Sequence, residues 1–279
     1  MGSMNQLSTA QRVQVVSALV EGCSIRATCR MTGRAKGTVT KLLCDLGAVC
    51  QDFHDEHDRG VMAERLQCDE VWAFCYAKDK NLPDHMRGQP GVGSVWTWTA
   101  LDADTKLMVT WHVGTRDYGC ARAFMLDLAS RLDNRVQLTT DGHSCYPPAV
   151  LEAFGGKIDY AQLIKLYREQ RADEARYSPC ACIGTRKIPV SGAPLPSDTS
   201  TSLVERSNLT IRMQNRRFTR LTNAFSKKLA NLQAAVALHF MHYNYCRKHQ
   251  TIGTTPAVEA GLADHVWGLE ELVGLLDSN

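Results

Sequence analysis

A chain of 279 residues with 44% hydrophobic side chains has room for one core of roughly 150 residues plus smaller appendages. No apolar run approaches the roughly 20 residues of a membrane span, and the start shows no signal-peptide pattern, so the expectation is a cytoplasmic protein with no membrane partner. The net charge of +3 is small but unevenly spread: residues 206–250 hold nine Arg or Lys and no acid, whereas residues 4–50 hold six basic side chains against Glu21 and Asp45. Between them the run Gln51-Asp52-Phe53-His54-Asp55-Glu56-His57-Asp58 reverses the sign. Two basic regions and an acidic connector predict two surfaces for a polyanion. Met1-Gly2-Ser3 ahead of Met4 reads as a cloning remnant and is left out of the fold reading.

The eleven cysteines are odd in number and irregular in spacing, which fits reduced thiols better than a disulfide framework. Cys23 and Cys29, Cys44 and Cys50, and Cys180 and Cys182 form pairs of sorts, but none has the tight spacing of a structural zinc site.

In chain order, Ser8 or Thr9 caps a first helix with Val13, Val16, Leu19 and Val20 at helical spacing, and Gly22 ends it. Ser24 caps a second, Ile25 to Met31, Gly33 supplies a turn, and a third runs from about Ala35 to Leu46. Small Cys29, turn Gly33 and apolar Val39 give residues 4–50 the look of a helix-turn-helix domain, with 51–64 as linker. Arg34, Lys36, Thr38, Thr40 and Lys41 then face bases or phosphates of DNA; the alternative is a three-helix interaction module that never touches DNA.

From Arg65 the period changes. Leu66–Tyr76, Gly93–Leu101 and Leu107–Val113 alternate as strands with short connections, predicting an antiparallel meander. A helix over Cys120–Leu132, a strand ending at Asp141, a helix over Pro147–Phe154 and a strand over Ile158–Ile164 follow. Residues 166–200, with four prolines, read as a loop insertion, and a long helix starts near Leu203. These segments make up a catalytic domain over 65–222, and 223–279 a helical extension. In that extension the helix Phe225–His249 buries Leu229, Leu232, Val236, Phe240 and Tyr243, so its His239-x2-His242-x3-Cys246 pattern reads as structural rather than metal-binding.

Asp69 on the first strand, Asp141 at the end of a later one and Glu205 opening a basic helix can together offer hard oxygen ligands to a magnesium pair, which makes phosphodiester chemistry readable from the chain. Each acid also has a plainer reading. Asp141 before Gly142 is a turn pair, Glu205 lies three after Ser202 as in a capping box, and Asp69 can face solvent while Glu70 is the ligand. Strand alternation sends Asp69 and Glu70 to opposite faces, so only one of them is expected to join Asp141. Arg212, two helical turns beyond Glu205, shares its face and leans back toward it; Arg216 extends that stripe, and Val204, Ile211 and Phe218 form an apolar one.

The wording Cys68-Asp69-Glu70-Val71-Trp72, Thr140-Asp141-Gly142, Val204-Glu205-Arg206-Ser207-Asn208 and Tyr243-Asn244-Tyr245-Cys246-Arg247-Lys248-His249, in this order, resembles bacterial insertion-sequence transposases of the IS-one type. The resemblance runs from about residue 65 to 260. It implies the ribonuclease H-like fold of DDE transposases and retroviral integrases: an α/β mixed sheet flanked by helices, with the first and fourth strands side by side at its centre. Appended to it are an N-terminal all-α helix-turn-helix domain and a C-terminal helical extension. It further implies that Asp69, Asp141 and Glu205 hold two Mg2+ ions, with Mn2+ able to substitute, and that Arg212 is the basic residue family members carry seven after the glutamate. His143, Tyr243 and His249 become candidate neighbours of the active centre.

The implied activity is metal-dependent cleavage at terminal inverted repeats followed by strand transfer into target DNA. The helix-turn-helix would select double-stranded repeats, and Arg206, Arg212, Arg216, Arg217, Arg220, Lys227 and Lys228 would hold phosphates. Joining two ends implies a homodimer or larger homo-oligomer, associated with the bacterial nucleoid. Two other readings stay open: a DNA-binding regulator with a decayed core, and a nuclease of the same fold that never joins strands.

Overall fold

The computed structural model describes residues 7–167, 182–220 and 222–277. Three helices come first: α1 (Thr9–Val20), α2 (Ile25–Thr32) and α3 (Lys36–His57). Ser8 and Gln11 close a capping box on α1, and the Ser24 hydroxyl accepts from the Ala27 N–H at 3.1 Å to start α2. Gly33 ends α2 at φ 67°, a left-handed turn open to glycine.

α3 is 22 residues long and absorbs the first half of the expected 51–64 linker. Its buried positions continue past Leu46 through Gly47, Cys50 and His54, so most of the acidic run is helix, with Asp52, Asp55 and Glu56 on its outer face. Gly47 sits where α3 crosses α7 (Leu229–Met241): an added Cβ would stand 2.5 Å from Ala234, so only glycine permits that approach. Arg131, 1% exposed, ties α3 down by donating to the His54 carbonyl at 2.9 Å and pairing with Asp55 at 2.5 Å.

The sheet comprises β1 (Arg65–Cys75), β2 (Gly93–Asp102), β3 (Met108–Gly114), β4 (Gln137–Thr140), β5 (Asp159–Tyr167) and β6 (Cys182–Ser191), in the order β3-β2-β1-β4-β5-β6. β1–β2, β2–β3 and β5–β6 are antiparallel; β1–β4 and β4–β5 are parallel. β1 and β4 are neighbours at the centre, as the ribonuclease H-like class requires. The expected loop over 166–200 is corrected in part: 182–191 form the edge strand β6, held by its ladder to β5, while 168–181 lie outside the described residues.

Alternation along the strands gives the sheet two apolar faces. Cys68, Trp98 and Ala100 pack against α4 (Tyr118–Arg131) and α5 (Tyr146–Phe154) through Phe124, Leu128 and Tyr146. Val71, Ala73 and Leu101 face α6 (Ser202–Gln214), whose Val204 and Ile211 seat it on the sheet. The core of this second face runs on through α7 into Val15, Val16, Val39 and Leu46, so the first three helices share it. The single helix expected over 225–249 is α7 followed by a π-helical turn, His242–Cys246, whose Asn244 side chain bonds both the N–H and the carbonyl of Met108 at 3.0 Å. Short helices α8 (Pro256–Glu259) and α9 (Leu269–Gly274) close the chain. Among the described residues no helix is long and apolar enough to cross a membrane.

Candidate active site

The site is built outward from β1. Gln67, on the face toward α6, accepts from the Leu203 and Val204 N–H groups at 2.9 and 3.1 Å. These are donors the first turn of a helix leaves unpaired, so Gln67 pins the start of α6 over the strand. Two residues on, Asp69 has the same face. There the Asn208 amide, one turn along α6 from Glu205, donates to Asp69 Oδ2 at 2.7 Å.

The parallel register pairs Gln67 with Thr139, and continuing it by two residues brings Asp141 level with Asp69, just past the end of β4. Asp141 Oδ1 accepts from the His143 N–H at 2.8 Å, which makes Asp141-Gly142 a turn pair. Asp69, Glu70 and Asp141 each place a carboxylate oxygen within 4.8 Å of the others, the one such convergence of three or more His, Cys, Asp or Glu among the described residues. His239, His242 and Cys246 form no such group.

Glu70 is the departure from expectation. It points to the α4/α5 face, as alternation requires, yet still reaches Asp141. The alternation argument fails because Asp141 lies beyond its strand, where both faces are open to it. The Glu70 side chain is 1% exposed and takes two bonds from Arg116, at 3.0 and 3.2 Å. The same guanidinium stands 3.6 Å from Asp141 and stacks over the Trp96 ring at 4.7 Å. Glu70 Oε1 is enclosed without a hydrogen-bond partner.

Electrostatics match the crowding. Burial pushes the Asp69 carboxyl up to about 6, with Asp141 and Glu205 adding to the rise and the Glu70 N–H and Asn208 opposing it. Burial and then Asp141 push Glu70 up to about 7, against the pull of Tyr146 and Arg116. Burial and Arg116 hold the His143 imidazole below its usual range despite Asp141.

Glu205 stands outside the convergent group but within electrostatic reach of Asp69. Lys165 of β5 is its ion-pair partner, and the Thr201 hydroxyl donates to its other oxygen at 2.6 Å. The helix cap is Thr201 rather than Ser202 and makes no side-chain bond to the backbone, so the capping-box reading of Ser202 and Glu205 does not hold. Arg212 is half-buried and its pKa is lowered by burial and by Arg220, with Asp69 opposing, so it is within electrostatic reach of both. His143 is beside the site, edge-on to Trp98 at 5.9 Å. Tyr243 and His249 are not. The Tyr243 hydroxyl donates to the Lys106 carbonyl at 3.0 Å in the β2–β3 turn, and His249 packs against Tyr243. The π-helical turn carries them to the β3 edge of the sheet, three strands from β4.

The two basic regions meet. Lys36 and Thr40 of α3 line a groove of about 850 Å³ together with Arg216, Arg217, Lys227 and Lys228, and no carboxylate among the described residues lines it. Lys41 is exposed and paired with Asp45 at 2.5 Å; Thr38 and Arg34 are half-buried. Arg217 doubles as a strut, donating to the Asn231 carbonyl at 3.0 Å.

Sequence reasoning missed Asn208, Lys165 and Arg116 as site residues. Asn208 had a signal, three residues after Glu205 and so on its face. Lys165 and Arg116 are brought in only by tertiary pairing.

No family model and no curated protein matches the chain. Solved structures similar to it include a Mos1 transposase paired-end complex with left transposon end, at 12% identity over 56% of this chain and 58% of that one, TM-score 0.24. The chain thus spans little more than half the length of that Mos1 chain. A Mos1 strand transfer complex is 10% identical over 87% of this chain and 78% of the other, TM-score 0.25. A piggyBac transposase synaptic complex with hairpin DNA is 11% identical over 100% and 72%, TM-score 0.39.

Proposed function

We propose that the chain is a metal-dependent DNA transposase in which Asp69, Asp141 and Glu205 are the catalytic acids. The observation that carries this reading is the meeting of Asp69 and Asp141, remote in sequence, with α6 bringing Glu205 toward the same strand. The donor set fits divalent magnesium or manganese: the ligands are hard carboxylate oxygens, and burial of Asp69 beside Asp141 raises its pKa as expected where a cation is to complete the charge balance. Asp69, Asp141 and Glu205 would hold the ions; when bound, these would supply a water of lowered pKa and offset charge on the phosphoryl oxygens.

The chain's own groups do the rest. Asn208 orients Asp69, and Arg116, anchored by Glu70, orients Asp141. Arg212 and Lys165 hold backbone phosphates beside the acids. Hydrolysis at the element's end breaks the phosphodiester to leave a 3′-hydroxyl and a 5′-phosphate. The 3′-hydroxyl then displaces a target-strand oxygen in line, exchanging one ester for another. No side chain forms a covalent intermediate. The helix-turn-helix and the groove it shares with Arg216 and Lys227 hold the inverted repeats. Two ends require at least a dimer.

Labelled repeat ends incubated with magnesium and a plasmid target test this directly. Joined products are expected from the native chain, and Asp69→Asn should bind the ends without cutting them. Cleavage without joining would leave a nuclease; cleavage by Asp69→Asn would remove the assignment altogether.

A further inference from the structure

A second cleft, of about 630 Å³, opens at the far end of β1 from Gln67. Its wall is a strip of aromatic rings: Trp72 and Phe74 lie 5.7 Å apart between centroids, and Phe74 and Phe225 lie 4.8 Å apart. All three are half-buried in a cleft open to solvent. The Lys78 ammonium stands over both Trp72 and Phe74, at 5.9 and 5.7 Å. Arg220 and Asn223 complete the lining, and no carboxylate among the described residues takes part. Beyond Phe74 the strand ends and Tyr76 adopts φ 67°, a left-handed conformation uncommon for an aromatic residue, with 40% of its surface exposed.

Aromatic faces interleaved with cations and amide groups suit a flat, π-faced heterocycle flanked by phosphates. An apolar peptide would leave the cations unanswered, and a paired duplex has no free base face to offer. Position adds to composition. Trp72 follows Glu70, a member of the acidic cluster, by two residues on the same face of β1, about 7 Å at the rise of a β-strand. Charge adds to it as well: Arg220 lines the cleft, and Arg212 is within electrostatic reach of both Arg220 and Asp69.

We infer that this cleft takes an unpaired nucleobase of the DNA strand held at the acidic site, stacked on the Trp72–Phe74–Phe225 strip with its flanking phosphates on Arg220 and Lys78. The inference rests on the reading of the chain as a DNA-processing enzyme and names what that site does with the bases beside the cut. Unstacking a base next to the scissile phosphate frees the backbone to bend toward the acids.

The test uses the full chain without divalent ions and two probes: a fully paired oligonucleotide, and the same duplex with a short unpaired end carrying 2-aminopurine. Stacking in the cleft is expected to quench 2-aminopurine emission on binding. Trp72→Ala and Phe225→Ala should each abolish that quenching and weaken the unpaired-end probe about tenfold, the scale of one base–aromatic stack, while binding the paired duplex as the native chain does. Trp72→Phe should retain the quenching, which separates stacking from a folding defect. Unchanged emission on binding of the native chain, or full quenching in both alanine variants, overturns the cleft assignment while leaving the transposase reading intact. If the native chain binds neither probe, both readings fall.

Discussion

Asp69 and Glu70 are chain neighbours on opposite faces of one strand, and the two faces treat them differently. On the α6 face, Asp69 meets a neutral amide and keeps its charge unanswered by any cation within ion-pair distance among the described residues. On the α4/α5 face, Glu70 is sealed in and neutralised by Arg116. Asp69 is thereby left available to an incoming cation, while Glu70 serves as the anchor of Arg116. The same residue type at adjacent positions is thus set to two tasks by what the other layer of the fold presents.

The contrast can be broken most directly by activity. Asp69→Asn is expected to lower magnesium-dependent cleavage on the order of a thousandfold, since a divalent ion contributes several kcal/mol to the transition state, whereas Glu70→Gln should cost less than about tenfold. Equal losses in the two variants would erase the distinction. Next in size, Arg116→Ala leaves Glu70 enclosed without its cation and should cost about 2 kcal/mol in urea unfolding, a figure reduced for the partial exposure of the guanidinium. A cost near zero would mean that Glu70 is not anchored as described. Asn208→Ala should lower cleavage by roughly tenfold through weaker metal binding, as expected for a partner that orients a ligand, and the loss should shrink at high magnesium.

The smallest effect is that of pH. The carboxyls of Asp69 and Glu70 rise on folding from 3.8 and 4.5 to about 6 and about 7. Groups raised in this way contribute stability that is complete below their unfolded values and is lost as pH climbs through the folded ones, so the metal-free protein should melt lower as pH goes from about 4 to 7. Glu70→Gln should flatten that decline. Magnesium added near pH 6.5 should release protons in the native chain and fewer in Asp69→Asn, read with an indicator dye.

Much of the fold was legible because it rests on local signals. The β1–β3 meander, α4 and α5 follow from alternation, turn residues and apolar period, and their ends move by a residue or two, whereas the β1–β4 adjacency was implied only by the family resemblance. β6 was hidden because its Thr185-Arg186-Lys187-Ile188-Pro189 stretch has no apolar period and is held by pairing with β5 alone. The second half of α3 was hidden because its acidic outer face reads as connector while its inner face buries His54, which carries no hydrophobic signal. Asp69 and Asp141 could be found from strand order. Glu70 could not be placed, since alternation says which face a side chain takes but not that a partner beyond a strand end serves both. Tyr243 and His249 were misplaced because the π-helical turn redirects the chain to the sheet's edge.

The continuous core beneath α1, α3, α6 and α7 bears on how this molecule can evolve and be engineered. The Arg12 guanidinium clasps Asp277 at 2.9 Å, so the two ends of the chain are stapled across that same interior. The front helices cut off at residue 58 would bare Val39, Leu46 and Cys50 to water, and any replacement for α3 would have to preserve the glycine–alanine crossing at Gly47 and Ala234. Heating should therefore melt the first three helices and the sheet together in one transition, and exchanging the front helices should yield insoluble protein unless the seam travels with them.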